Sequence, residues 1–108
     1  MTAARRLVDQ VAIITGASQG LGEALAHRLG REGAHVVVAD IADDKAEAVA
    51  RAIAQEHGVG SMAAHADVTD PAQCEALVQG AVERFGRLDI CVSNAGVLFA
   101  GAVDEIDP

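Results

Sequence analysis

The sequence predicts an α/β fold in which helices cover both faces of a doubly wound parallel sheet. Short apolar segments alternate with segments of helical periodicity in the order βαβαβαβ, which favours parallel strands joined by right-handed crossovers. Hydrophobic residues make up 51% of the chain and include no Trp or Tyr. They are mainly Ala, Val, Ile and Leu, as suits strands buried on both faces. Glycines and polar residues follow the strands, at the edge where such sheets bind ligands.

The first strand spans 11–14 and leads into a glycine loop at 15–22. A helix follows, from Gly20 or Leu21 to about Gly30. Glycine permits both a sharp turn and a close approach of N–H groups to a ligand, and the helix start adds a positive dipole end. A pyrophosphate is the natural ligand of such a loop. The glycine spacing departs from G-x-G-x-x-G, so a tight turn without a ligand stays open as the alternative.

The second strand spans 35–39, and Asp40 follows it, 18 residues beyond Gly22. Dinucleotide-binding folds place an acidic residue at about this distance from the loop. A second helix, capped by Asp43 or Asp44, continues to a stop at Gly58. Its apolar positions form one stripe, made of Ala46, Val49, Ala50 and Ile53.

A third strand at 61–66 is weakly apolar and is recognised mainly by its position between two helices. The third helix begins at Asp70-Pro71, a capping acid followed by proline at the first helical position, and ends at Gly86. A fourth strand at 88–92 completes the pattern. The third helix presents one apolar face, made of Cys74, Leu77, Val78, Ala81, Val82 and Phe85.

The net charge of −8 and the scattering of eight basic residues argue against a nucleic-acid partner. Cys74 and Cys91 lack the paired spacing of a zinc site, and we expect both to be reduced and buried. The sequence shows no signal peptide and no apolar segment of membrane length, which favours a cytoplasmic protein. The four histidines also lack metal spacing. We expect His27 and His57 to lie in solvent, and no metal site is predicted.

Four motifs occur in an order that one known family shares. Thr15-Gly16-Ala17-Ser18-Gln19-Gly20-Leu21-Gly22 matches that family's TGxxxGxG loop. Asp40 ends the second strand, Asp67-Val68 follows the third, and Asn94-Ala95-Gly96 follows the fourth. On these motifs the chain resembles the N-terminal half of the short-chain dehydrogenase/reductase family over essentially its whole length. The resemblance implies a Rossmann-like sheet, interrupted here after its fourth strand.

The resemblance also implies a cofactor site at the carboxyl edge of the sheet. Gly16 and Gln19 belong to the loop that would cradle the cofactor, and Ile41 follows the acidic residue. The phosphates would be held by Ser18, Gly20, Leu21 and Gly22, the adenine ribose by Asp40, and the adenine ring by Asp67 and Val68. The pocket near the riboses would be lined by Asn94, Ala95 and Gly96.

Asp40 favours NAD over NADP as the cofactor. Its carboxylate can accept hydrogen bonds from ribose hydroxyls but would repel a 2′-phosphate. At a separation of about 4 Å and an effective dielectric constant of about 20, the repulsion is roughly 4 kcal/mol per pair of charges. Gln19 and Ile41 supply no compensating positive charge, and we expect no base nearby. The alternative is that Asp40 only caps a turn before the second helix.

The catalytic residues of the family are not found in this sequence. The resemblance implies hydride transfer to or from an alcohol or carbonyl substrate, with a tyrosine as acid/base and a lysine beside it. The sequence has no tyrosine, and its one lysine, Lys45, is expected in solvent on the second helix. Asp107-Pro108 repeats a helix-start signal at the last residues. We therefore expect residues 1–108 to be the NAD-binding part of a longer single-domain dehydrogenase that forms a homo-oligomer.

Two other hypotheses stay open. The chain could be a non-catalytic NAD-binding or regulatory module, or the product of a gene fragment without a function. The substrate is not readable from these residues.

Overall fold

Four apolar segments form a parallel sheet, as predicted, in a computed structural model that describes residues 5–94. The strand order is β3-β2-β1-β4. The predicted residues Ala95 and Gly96 and the helix start at Asp107-Pro108 lie outside the described part. In chain order the elements are β1 (Val11–Thr15), α1 (Gly20–Arg31), β2 (His35–Asp40), α2 (Asp43–His57), β3 (Ser61–His65), α3 (Pro71–Phe85) and β4 (Ile90–Val92).

The two central strands explain why the sequence shows continuous apolar runs there. All five residues of β1 are buried, and so are the middle four of β2. Alternate residues face opposite sides: Ile14 and Val38 pack with α1 and α2, whereas Ile13 and Val37 pack with α3. Each such buried side chain contributes about 1.5–3 kcal/mol. The predicted cover of helices on both faces is therefore confirmed.

The helix ends follow the sequence signals with one exception. The Asp70 carboxylate accepts a hydrogen bond from the N–H of Ala72 at 3.0 Å, and α2 and α3 end at left-handed glycines. However, α2 has Ala42 as its N-cap residue and no side-chain cap. The prediction that Asp43 or Asp44 caps this helix is wrong, because both already belong to its first turn. In that turn their negative charges interact favourably with the positive end of the helix dipole.

The face of α3 is narrower than predicted. Leu77 and Ala81 are buried, but Val82 is 42% exposed, because only the first two point at the core beneath β1 and β2. Cys74 and Cys91 are free thiols and are half-buried, so their predicted full burial is wrong. Partial burial raises the pKa of Cys91 to about 12, with a smaller contribution from Cys74.

Strand β4 is shorter than predicted and lies at one edge of the sheet that the structure describes. Its start is tied to the start of β1 through Asp89. The N–H of Asp89 donates to the carbonyl of Val11, and the N–H of Val11 donates to the Asp89 carboxylate, both at 2.9 Å. Arg87 donates two further hydrogen bonds to this carboxylate, at 2.8 and 2.9 Å. These bonds, chiefly those from Arg87, lower the pKa of Asp89 despite its partial burial.

We expect acid to destabilise the protein partly through Asp89. Its pKa is lowered in the folded state, so below about pH 5 the unfolded chain binds more protons, and the free energy of unfolding falls as the pH falls. This contribution is lost completely only below the lowered folded pKa. Asp89→Asn should lower stability at pH 7 and make the decline toward pH 4 shallower. Urea unfolding at several pH values measures both effects.

Glu47→Gln is the matched control, since Glu47 lies on the exposed face of α2. It should leave both the stability at pH 7 and the slope close to wild type. A variant of Asp89 with an unchanged pH dependence would contradict the role assigned to this carboxylate.

Candidate functional site

The loops after β1, β2, β3 and β4 meet at the carboxyl edge of the sheet and enclose two adjoining cavities. The larger measures about 520 Å³ and the smaller about 260 Å³, and Gly16, Asp40 and Ile41 line both. Volumes of this order are typical of small-molecule sites. The larger cavity is also lined by Ser18, Gln19, Gly20, Ala42, Lys45 and Asn94, and the smaller by Ala66, Asp67, Val68 and Thr69.

The loop after β1 requires glycine at two positions for its backbone. Gly16 has φ 64° and Gly20 has φ 61°, both in the left-handed region that side chains disfavour. Space is not the reason at Gly20, because a Cβ there would meet no atom within 4 Å. Helix α1 begins at Gly20 without a side-chain cap. Its first N–H groups are therefore left to water or to an acceptor on a ligand.

Gly22 serves the site indirectly, by close packing. A Cβ at this position would collide with the carbonyl oxygen of Gly16 and with Nδ2 of Asn94. These two atoms are themselves joined, since Asn94 Nδ2 donates to Gly16 O at 3.2 Å. Thr15 Oγ1 donates to the carbonyl of Val92 and accepts from the N–H of Asn94, at 3.4 and 3.0 Å. The glycine loop is thus fixed to the end of β4.

Asp40 is the last residue of β2 and stands between the two cavities. Its Oδ2 accepts the N–H of Ser18 and its Oδ1 accepts the N–H of Ala42, each at 3.1 Å. Partial burial by itself raises the pKa of Asp40, but hydrogen bonds from Ser18, Ala42 and Ile41 outweigh it and hold the pKa below its ordinary value. Asp40 therefore carries a full charge at neutral pH.

Lys45 is the site residue that sequence reasoning missed. It is exposed, as expected, but it lines the larger cavity with Asp40, and its Nζ donates to Oε1 of Gln19 at 3.2 Å. The prediction that no base lies near Asp40 is wrong. The sequence places Lys45 in the first turn of the helix that follows Asp40, but its contact with Gln19 depends on how that helix packs beside the glycine loop.

The smaller cavity is shaped by a turn centred on Asp67. The Asp67 carboxylate accepts hydrogen bonds from the hydroxyl of Thr69 at 2.7 Å and from the N–H of Thr69 at 3.0 Å. These two bonds lower the pKa of Asp67. The N–H of Asp67 donates to Gln73 Oε1 at 2.8 Å. Ile41 covers the boundary between the cavities with a side chain that is 63% exposed. The Asp-x-Thr pattern was the available signal for Thr69.

Most of the predicted site residues therefore converge on one groove. Leu21 is 67% exposed in the first turn of α1 and lines neither cavity, and Gly22 acts through packing. Ala95 and Gly96 lie outside the described residues. None of the described helices is long and apolar enough to cross a membrane. The geometry of the groove does not by itself identify the ligand, which stays a prediction.

Comparisons with known proteins identify a family. The family model described as short chain dehydrogenase matches residues 10–108. The chain is 41% identical to trans-4-hydroxycyclohexanecarboxylate dehydrogenase of Sinomonas cyclohexanicum, over 94% of this chain and 41% of that protein. It is 42% identical to L-rhamnose 1-dehydrogenase (NAD(P)(+)) of Azotobacter vinelandii, over 84% of this chain and 37% of that protein.

A solved structure supports the same relationship. The crystal structure of a hydroxysteroid dehydrogenase from Escherichia coli superimposes with a TM-score of 0.79 and 40% identity, over 85% of this chain and 39% of that one. The chain thus spans about two fifths of the length of the curated relatives it matches.

We expect Gly22→Ala and Gly80→Ala to change stability in opposite directions. Both glycines lie in helices, but a Cβ at Gly22 meets backbone of the glycine loop, whereas one at Gly80 meets nothing within 4 Å. Gly22→Ala should lower the free energy of unfolding by about 1–3 kcal/mol. Gly80→Ala should raise it by about 0.5–1 kcal/mol. Chemical unfolding of both variants measures these changes in the free energy of unfolding. A Gly22→Ala variant as stable as wild type would contradict the close packing at Gly22.

Proposed function

The chain belongs to the short-chain dehydrogenase family, and we propose that it forms the nucleotide-binding part of an NAD-dependent oxidoreductase. The complete protein would transfer a hydride between the nicotinamide and a small alcohol or carbonyl substrate. One observation carries the proposal: the uncapped start of α1 and the ionised carboxylate of Asp40 line or adjoin the same cavity.

The residues present fit a dinucleotide. A pyrophosphate needs donors and positive potential, and in a chain of net charge −8 the glycine loop with the α1 start supplies both from the backbone. Ser18, Gly20 and Leu21 would hold the phosphates there. The Asp40 carboxylate, which lines both cavities, is an acceptor that suits ribose hydroxyls. The smaller cavity beside Asp67 and Val68 suits the adenine ring.

NAD is the proposed cofactor, although the positive charge of Lys45 weakens the electrostatic argument against NADP. A 2′-phosphate would face the Asp40 carboxylate, which two backbone N–H groups hold in place. Lys45 offers one opposite charge from an exposed, flexible side chain, so it compensates only in part. The name of the Azotobacter relative assigns both NAD and NADP to that enzyme. We therefore propose a preference for NAD, set by Asp40 and moderated by Lys45.

The described residues bind and orient the cofactor and do not move protons. When bound, NAD would supply the carbon that accepts or donates the hydride. The sequence contains no tyrosine, and its one lysine lies by the Asp40 end of the groove. We propose that the acid/base residues belong to a longer protein of which residues 1–108 are the N-terminal part. In that protein we also propose homo-oligomers and a cytoplasmic location, the latter because both cysteines are free thiols.

A non-catalytic NAD-binding or regulatory module is the second candidate. It differs from the first candidate in whether the complete protein contains the acid/base tyrosine, which is not among residues 1–108. A gene fragment without function is the third. Binding of NADH by the purified protein separates the first two from the third, and turnover by the protein with any residues that follow Pro108 separates the first from the second.

We expect the purified protein to bind NADH more tightly than NADPH in fluorescence titrations. Asp40→Asn, which keeps the shape of the side chain but removes its charge, should weaken NADH binding and strengthen NADPH binding. The ratio of the NADPH dissociation constant to the NADH dissociation constant should fall by about tenfold or more, equivalent to roughly 1.4 kcal/mol. Lys45→Gln should weaken NADPH binding selectively.

Arg51→Gln is the matched control, because Arg51 is an exposed cation on α2 outside both cavities. It should change neither affinity. Equal or tighter binding of NADPH by the wild-type protein would overturn the cofactor preference, and binding of neither nucleotide would overturn the proposed site.

A further inference from the structure

Two histidines and a glutamate come together between α1 and α2, in a surface cleft that shares no residue with the two cavities. His27 lies in α1, and Glu56 and His57 are the last two residues of α2. The expectation that both histidines lie in solvent is wrong, since the side chains of His27 and His57 are only 26% and 15% exposed. The spacing along the chain does not indicate a metal site, because His27 and His57 are 30 positions apart.

A glycine brings the two helices together at this point. A Cβ at Gly30 would lie 2.9 Å from Ile53 Cγ2 and 3.3 Å from His57 Cδ2. The missing side chain therefore lets the end of α2 pack directly on α1, one turn beyond His27. Arg5 holds the same end from the other side by donating to the carbonyl of His57 at 2.7 Å.

The ligand atoms have the spacing of a metal site. His27 Nδ1 lies 3.2 Å from His57 Nε2 and 3.3 Å from Glu56 Oε1, and the last two atoms are 3.9 Å apart. The nearest point equidistant from these three atoms lies in their plane, about 2.0 Å from each, which is the usual length of Zn–N and Zn–O bonds. We propose that His27, Glu56 and His57 bind a divalent transition-metal ion such as Zn²⁺, with water completing its coordination.

The donor set and the surrounding charge select the class of ion. Two imidazoles and one carboxylate suit Zn²⁺, Ni²⁺ or Cu²⁺, whereas Mg²⁺ and Ca²⁺ require mostly oxygen ligands. Arg28 and Arg31 also line the cleft, and their charges oppose a cation. Arg28 is partly neutralised by Glu32, which lies 3.3 Å from it. An ion that bonds strongly to imidazole is therefore needed to overcome the remaining repulsion. Once bound, it would join α1 to α2.

Zn²⁺ binding to the purified, untagged protein tests the proposal, measured by titration calorimetry and by thermal unfolding. We expect one equivalent to bind, to raise the melting temperature, and to be removed by EDTA. Glu56→Gln and His27→Gln should each weaken binding by roughly tenfold or more. Glu56 is 64% exposed, so its replacement keeps the fold intact, which circular dichroism verifies.

His65→Gln is the matched control. His65 also has a carboxylate neighbour, Asp43 at 2.7 Å, but among the described residues it belongs to no group of three metal-ligating side chains, and it does not line the cleft. This variant should bind Zn²⁺ as the wild type does. Failure of the wild-type protein to bind Zn²⁺ would overturn the proposal. Binding that persists unchanged in Glu56→Gln and His27→Gln would overturn it as well, because the ion would then be held elsewhere, for example by Cys74 or Cys91.

Discussion

The groove depends on the contact between the start of α1 and the end of β4. Gly22 lies against the carbonyl of Gly16 and the amide of Asn94, and any side chain there would separate them. Asn94 donates a side-chain hydrogen bond to Gly16, and the backbone N–H of Asn94 donates to Thr15. The segment that follows β4 therefore fixes the loop after β1. The glycine loop can then keep its shape without support from a ligand. This prior ordering lowers the entropic cost of binding.

Asp40 combines a structural and an electrostatic role that the sequence presented as alternatives. Its carboxylate does hold a turn, through Ala42, but it also holds the glycine loop through Ser18. The same hydrogen bonds keep it ionised against the effect of partial burial. A fixed charge between two cavities discriminates between ligands more strongly than a mobile one, because it cannot move away from an unwanted phosphate. By fixing the carboxylate, the turn would therefore contribute to this discrimination between ligands.

Periodicity and capping signals predicted nearly all of the architecture, because each depends on neighbours in the chain. The buried stripe of α2, the Asp70 cap and the glycine stops are local features of this kind. Most of the errors concern contacts between distant segments, although the misplaced N-cap of α2 is a local one. Val82 is exposed because α3 meets the core through Leu77 and Ala81, with Val78 and Phe85 packed against it, which periodicity alone does not reveal. Lys45 was missed for the same reason, since only the packing of α2 beside the loop places it at the cavity.

Close approach at glycines positions both ends of α1. Gly22 sets its first turn against β4, and Gly30 sets its last turn against α2. The first contact shapes the groove, and the second brings His27 to His57. Lys45 lies at the opposite end of α2, beside the groove. An ion that bound the histidine cluster would restrain this helix pair at a distance from the groove, and its effect would reach the cofactor only through that packing.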